Sequence, residues 1–162
     1  MEGVLIEINE SLKKRLPDTF AILKESHLTV HPYVYKVVLS GSRGLAENYR
    51  EDSDIDLSLL VDTEQLNSEK DREKTLKEIL DITLSNWSSE TELDTAAVFE
   101  INKCRLNCFN YENYQENICE ESGIDCMGLY KTQKGFNGYV PKIGVNIKFI
   151  YPIITVWERE NK

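Results

Sequence analysis

The sequence predicts a mixed α/β (α+β) fold, in which a small mixed β-sheet is flanked by helices. Three observations carry this prediction. Residues 33–40 and 54–61 are rich in apolar and β-branched residues with strand periodicity, residues 68–87 repeat apolar side chains at helical spacing, and residues 93–102 again have a strand pattern. A strand, a connection that carries a helix and a further strand, repeated around one sheet, are typical of this class.

The first element is predicted to be helical. Apolar residues recur at nearly four-residue intervals over residues 8–23, and Pro17 interrupts them, so we expect one helix or two short ones. His31 followed by Pro32 marks a break before the first strand. His27 and His31 are expected in loops, because nothing in the sequence places them beside the carboxylates described next.

The second strand alternates strictly between two kinds of side chain. One side carries Asp54, Asp56 and Ser58, and the other carries only apolar residues. Side chains two positions apart share one face of a strand, so both carboxylates should project from the same sheet surface. Two like charges this close raise the pKa of one carboxylate unless a cation neutralises them, and magnesium is bound by such oxygen ligands.

A short turn at the end of the first strand is a candidate phosphate site. The apolar run ends at Ser40 and is followed by Gly41, Ser42 and Arg43. Glycine lets the backbone approach a ligand closely, and free N–H groups at a helix start attract anionic oxygens. Arg43 could add a charged contact to the ligand; equally, it could form a salt bridge with an acidic neighbour, namely Glu47, Glu51 or Asp52.

The sequence VVLSGSRG, followed after a spacer by DSDIDLSLLV, resembles the DNA polymerase β-like nucleotidyltransferase superfamily, in particular its minimal nucleotidyltransferases. The resemblance covers residues 37–61, is weaker over residues 94–99 and does not extend past Phe109. The family pattern includes a third carboxylate on a neighbouring strand. Asp94 is the first choice for it. Glu100 is the alternative, facing the same way but about 20 Å farther along an extended strand.

The resemblance implies a nucleotidyltransferase fold and a two-metal reaction. A nucleoside monophosphate would pass from a nucleoside triphosphate, ATP by default, to a hydroxyl group, with release of pyrophosphate. Asp54, Asp56 and Asp94 would be the catalytic residues and the ligands of two Mg²⁺ or Mn²⁺ ions. Gly41, Ser42 and Arg43 would hold the triphosphate. The alternatives are that the aspartates are merely solvated on an edge strand, or that the third ligand is missing.

The last third of the chain is harder to interpret. We expect a single domain over residues 1–162, with a core at about residues 30–109 and a C-terminal extension at 110–162. Residues 103–109 could form a fourth strand in a hairpin with the third, and residues 110–121 a helix that stops at Gly123.

Two further segments of the extension are apolar or aromatic. Residues 128–139 resemble an aromatic-containing loop. Within it Tyr130, Lys131 and Lys134 could hold a nucleobase or a phosphate, although packing of the loop onto the body is the favoured explanation. Residues 145–157 could belong to the core or present a surface to another chain.

Composition limits the partners. The 162 residues have a formal net charge of −9 and no stripe of lysine and arginine, which disfavours a long nucleic acid. A nucleoside triphosphate with a small-molecule or protein acceptor is easier to reconcile with this charge. The sequence has no run long and apolar enough to span a membrane and no export signal, so a cytoplasmic protein is expected. The four cysteines lack a CxxC pair and are expected to be reduced rather than bound to zinc: Cys104, Cys108, Cys119 and Cys126.

Two function classes remain open. One is an active nucleotidyltransferase. The other is a non-catalytic or regulatory interaction protein, such as the antitoxin partner of a helical toxin, a role in which minimal nucleotidyltransferases are known. Because family members that act on small acceptors commonly carry an additional helical domain, a chain of this length is expected to need a homodimer or a helical protein partner to recognise its acceptor.

Overall fold

A computed structural model of the chain describes residues 3–40, 54–101, 106–115, 127–140 and 151–160. These residues form a six-stranded mixed sheet, a two-stranded sheet and four α-helices, so the α+β fold predicted from the sequence is confirmed. The strands are β1 (Val4–Leu5), β2 (Thr29–Val30), β3 (Val34–Ser40), β4 (Ile55–Val61), β5 (Leu93–Glu100), β6 (Met127–Lys131), β7 (Gly138–Tyr139) and β8 (Ile154–Glu158). The helices are α1 (Leu12–Arg15), α2 (Pro17–Glu25), α3 (Thr63–Asn67) and α4 (Arg72–Asn86).

The large sheet has the strand order β7-β6-β5-β4-β3-β8, and β1 pairs with β2 in the small sheet. Only β4 and β5 run parallel among these described strands, and every other pair is antiparallel. A parallel pair needs a crossover connection. Here the crossover carries α3 and α4, which begin at the side-chain caps of Asp62 and Asp71.

One face of the sheet is covered by helices. The residues of β4 that face this side, Ile55, Leu57 and Leu59, are at most 2% exposed. They pack in one cluster with apolar side chains of α2 and α4, among them Leu23 and Leu80. This burial is the main apolar core of the described chain and holds the middle of the sheet rigid.

The opposite face is covered over only part of its length. Leu60 of β4 and Val98 of β5 are register partners on this face, and Val38 of β3 belongs to the same smaller cluster. Its other members come from later in the chain: Leu106, Cys108, Phe109, Met127 and Ile153. Nearer the first residues of β4 and β5, the same face carries polar side chains instead, and these build the site described below.

Several sequence predictions agree with these elements. The first, second and third strands occur as β3, β4 and β5, and the long amphipathic helix occurs as α4, beginning later than predicted because Asp71 caps it. The N-terminal region forms two short helices, with Pro17 as the first residue of α2. The apolar end of the chain belongs to the core, since Ile154 and Val156 of β8 are buried beside β3.

Three predictions for the last third were wrong where the structure describes it. Residues 107–110 form a 3₁₀ helix rather than a strand, and no helix continues over residues 111–115. Residues 128–139 contain the hairpin β6–β7 rather than a loop. Strand β6 needs Gly128 for space, because a Cβ there would lie 2.2 Å from the ring of Phe99.

The membrane and cysteine predictions are tested only on the described residues. No helix in the described ranges has both the length and the apolar character to cross a membrane. Cys108 is buried with a free thiol. The other three cysteines, and the segments 103–105, 116–121 and 145–150 of the predictions above, lie outside the described residues.

Candidate functional site: a carboxylate cluster at the start of two parallel strands

The three predicted acidic residues lie at the first residues of two neighbouring strands. Asp54 immediately precedes β4, Asp56 is its second residue, and Asp94 is the second residue of β5. Because β4 and β5 are parallel, both strands begin at the same edge of the sheet, and Asp56 is the direct register partner of Asp94. Ser40, the last residue of β3, is the partner of Asp56 on the other side.

Asp56 and Asp94 interact directly. The pKa of Asp56 is raised to about 6, first by burial and then by the charge of Asp94, a hydrogen bond with Asp94 and the charge of Asp54, whereas Lys131 opposes the shift. Two carboxylates at this separation resist simultaneous ionisation. The pair therefore favours a proton on Asp56 below about pH 6 and a nearby cation at neutral pH.

Lys131 supplies one such cation. Its Nζ forms an ion pair with Oδ1 of Asp94, and both side chains are 17% exposed. Lys131 is the last residue of β6, one position past Tyr130, which pairs with Ala97. Side chains alternate along the strand, so Lys131 shares the sheet face of Asp94, while Tyr130 packs into the helix-covered core.

Lys134 supplies a second cation, from the turn between β6 and β7. Its Nζ donates a hydrogen bond of 3.0 Å to Oδ2 of Asp54 and lies 4.0 Å from Glu92. The bond to Asp54 raises the pKa of Lys134. The backbone of Lys134 is left-handed, with φ of 56°, and Gly135 continues the turn with φ of 86°.

Gln133 holds this turn against β5. Its side-chain Oε1 accepts a hydrogen bond of 3.0 Å from the backbone N of Thr95, and its Nε2 donates one of 2.8 Å to the backbone O of Leu93. The two bonds flank Asp94 and keep both lysines beside the carboxylates. Sequence reasoning missed Gln133, because a side-chain amide that binds a distant backbone leaves no local pattern.

Glu100, the alternative third carboxylate, lies at the other end of β5. Its register partner is Met127, and its backbone N donates to Oγ1 of Thr63. It lines a separate cavity of about 580 Å³, where the guanidinium of Arg72 lies 5.3 Å from the ring centroid of Phe99. The structure thus brings Asp94, and not Glu100, beside Asp56.

The predicted phosphate turn, Gly41, Ser42 and Arg43, lies outside the described residues. So do the acidic neighbours proposed for Arg43, namely Glu47, Glu51 and Asp52. What the structure does describe is the last residue before the turn, Ser40, next to Asp56.

The carboxylates fit a hard divalent cation by their chemistry. Magnesium is commonly held by one or two carboxylates together with phosphate oxygens. Asp94 Oδ1 is buried and receives no hydrogen bond from any described residue, so it contacts Lys131 only as an ion pair and remains suited to a cation. A complete protein cage is absent from the described ranges, since no three of their acidic, histidine or cysteine side chains cluster as metal ligands.

Comparisons with known proteins added no relative. No protein-family model, no curated protein and no solved structure matches this chain.

Proposed function

We propose that the protein is a metal-dependent nucleotidyltransferase of the polymerase β-like kind. It would transfer a nucleoside monophosphate from a nucleoside triphosphate, ATP by default, to a hydroxyl group of a small molecule or a protein, releasing pyrophosphate. The observation that carries the proposal is the direct pairing of Asp56 with Asp94 across two parallel strands, with Asp54 at the start of the same edge.

Each acidic residue has a role in this proposal. Asp54 and Asp56 would bind the cation that accompanies the triphosphate, and Asp94 with the same pair would bind a second. Mg²⁺ or Mn²⁺ held there would neutralise phosphate charge and lower the pKa of the acceptor hydroxyl. The protein's own contribution is to hold the carboxylates on rigid strands, because β4 and β5 lie in the middle of the sheet above a buried core.

The acceptor is proposed from the charge of the chain. A net charge of −9 favours a small molecule or a protein over a long nucleic acid. We further propose that a second copy or a helical protein partner contributes to recognition of the acceptor.

A second function is favoured by one specific observation, namely the two lysines. Lys131 pairs with Asp94 and Lys134 pairs with Asp54, so the acidic site is largely neutralised without any ligand. That arrangement would suit a catalytically silent nucleotidyltransferase-like protein that acts by binding a partner, as an antitoxin does.

The two functions are separated by thermal unfolding with magnesium and each of the four nucleoside triphosphates. A ligand at a hundred times its dissociation constant adds about 2.7 kcal/mol to the free energy of unfolding. For a chain of this length we therefore expect the midpoint to rise by about 5 °C or more with the donor nucleotide. The rise should require magnesium and should be lost in the Asp54→Asn, Asp56→Asn double variant and in Asp94→Asn.

Glu100→Gln is the matched control, because it makes the same chemical change on the same strand at the other end. We expect it to keep the wild-type shift. A shift that survives in Asp94→Asn but is lost in Glu100→Gln would reverse the choice of the third carboxylate. If no nucleotide shifts the midpoint of the wild type, catalysis is rejected in favour of the silent binding protein.

A further inference from the structure

The acidic site contains nearly as many positive as negative side chains. Asp54, Asp56 and Asp94 face Lys131 and Lys134, and each ammonium contacts an oxygen that the proposed function requires for a metal: Oδ1 of Asp94 and Oδ2 of Asp54. A divalent cation and an ammonium cannot bind one carboxylate oxygen in the same place. A metal that binds these same two oxygens therefore displaces the lysines.

Displacement is costly at Lys131 in particular. Lys131 is only 17% exposed, and so is its partner Asp94. Removing one partner of a buried ion pair leaves the other charge without compensation, which is strongly destabilising. If Asp94 binds a metal in place of Lys131, the Lys131 ammonium loses its counter-charge, and a different anion is then required to compensate it.

The anion available in the proposed reaction is the triphosphate. Because Gln133 fixes the turn to β5, the backbone of the two lysines stays beside the site when their side chains leave the carboxylates. A lysine side chain is a compact charge on a flexible four-carbon stem, so it can move to a neighbouring phosphate without a change in the backbone.

We infer that Lys131 and Lys134 exchange partners, holding the carboxylates when no metal is present and the phosphates of the nucleotide when a metal takes the carboxylates. This inference rests on the proposed function and makes the two lysines specificity-determining residues for it. Metal alone then binds weakly, whereas metal together with a triphosphate binds well. Such coupling is reciprocal: the nucleotide strengthens metal binding by the same factor as the metal strengthens nucleotide binding.

The test measures two affinities in each variant. The first is the affinity for Mn²⁺ alone, from the electron paramagnetic resonance signal of free Mn²⁺, and the second is the affinity for ATP in excess magnesium, from equilibrium dialysis. We expect Lys131→Met to tighten Mn²⁺ binding and to weaken ATP binding, each by about tenfold, within the usual range of coupling between sites. A lysine with only a structural role would move both affinities in the same direction.

Lys134→Met should show the same opposite changes at smaller size, about threefold, because Lys134 is 46% exposed and its pair with Asp54 is screened by water. It also keeps the test decisive if Lys131→Met fails to fold. Lys24→Met is the matched control: Lys24 pairs with Glu10 at 3.9 Å on the surface, so neither affinity should change.

The inference is overturned if the folded lysine variants leave both affinities at the wild-type value, or weaken both. Asp56→Asn and Asp94→Asn separate this failure from failure of the proposed function. If those two variants abolish Mn²⁺ binding while the lysine variants do not alter it, the metal site stands and the exchange is rejected. If wild-type protein binds no Mn²⁺ through the carboxylates, even with ATP, both proposals fall together.

Discussion

The two faces of β4 and β5 carry different kinds of side chain near the first residues of these strands. On one face, Leu59 and its neighbours are buried under α2 and α4. On the other, the carboxylates of Asp56 and Asp94 interact directly. Lysines of the hairpin β6–β7, which is distant in the sequence, partly neutralise the acidic side chains of this face. The same two strands thus carry stabilising apolar contacts on one face and repelling like charges on the other, because successive side chains along a strand point to opposite faces.

The comparison suggests a division of labour. Burial of apolar side chains on the helix-covered face stabilises the pairing of the strands. This stabilisation offsets the repulsion between the carboxylates on the acidic face. Changes on the first face should therefore cost stability, whereas neutralising the second should increase stability and remove the proposed activity. Three measurements test this difference.

The largest effect is expected from Leu59→Ala. Leu59 is fully buried between the sheet and the helices, and truncation leaves a cavity, so we expect a loss of about 3 kcal/mol in the free energy of unfolding. Urea denaturation measures this loss. Leu5→Ala is the control, because Leu5 is 64% exposed and its truncation should change stability by less than about 0.5 kcal/mol. Similar losses at the two positions would contradict the contrast between the faces.

A smaller effect of opposite sign is expected from Asp56→Asn. The pKa of Asp56 lies at about 6 in the folded protein against an ordinary value of 3.8, so the folded state binds the proton more strongly. Wild-type stability then falls as pH rises from about 4 to 6, and the penalty is complete above pH 6. One pKa unit corresponds to about 1.4 kcal/mol, and partial exposure to water reduces that value, so we expect the variant to gain about 1 to 2 kcal/mol at pH 7.

Urea denaturation without divalent cations, at pH 4 and at pH 7, measures this gain. The difference between wild type and Asp56→Asn should nearly vanish at the lower pH, where the native carboxyl is protonated. An equal or lower stability of the variant at pH 7 would show that Asp56 is not held against like charge.

The smallest effect is a pH dependence of the opposite sign, at the buried residue His31 in the connection between β2 and β3. His31 is 1% exposed, its Nδ1 accepts a hydrogen bond from the backbone N of Tyr33, and burial lowers its pKa. As the pH falls through 6.5, the ordinary pKa of histidine, His31 binds a proton in the unfolded chain but stays neutral in the folded chain. Stability contributed by neutral His31 is therefore present above pH 6.5 and is lost as pH falls below it.

Comparison of His31→Asn with wild type over pH 5 to 8 isolates this slope from that of Asp56, which both proteins share. The variant should lose less stability on acidification than the wild type does. His27→Asn is a control for the loss of a histidine side chain, because Asn tolerates the left-handed backbone at that position, where φ is 56°. Parallel curves for wild type and His31→Asn would exclude His31 as the titrating group.

Sequence patterns were most reliable where a segment's structure depends on its own residues. The alternation from Asp54 to Val61 predicted both the strand and the face that carries the acids. The interruption at Pro17 left one helix or two short ones as alternatives, and the structure has two. Sequence patterns were least reliable in the hairpin β6–β7. The segment was expected to be a loop, whereas it forms paired strands in which Gly128 leaves room for the ring of Phe99 on the neighbouring strand β5.

In the acidic site too, some residues could be predicted from local spacing, whereas others depended on how the strands pair. Asp54 and Asp56 could be paired from their spacing alone, because two residues apart means one face of a strand. The choice between Asp94 and Glu100 depended on the register of β4 against β5, and register is a relation between segments separated by a crossover. Lys131, Gln133 and Lys134 joined the carboxylates only because β6 pairs with β5.

Local periodicity was therefore sufficient for the class of fold, the central strands and the shared face of the first two carboxylates, since each follows from backbone geometry over a few residues. The partners of those carboxylates required the folded sheet. Charges more than 35 residues apart in the chain meet only when strands pair, and neither composition nor spacing records which strand will lie beside which.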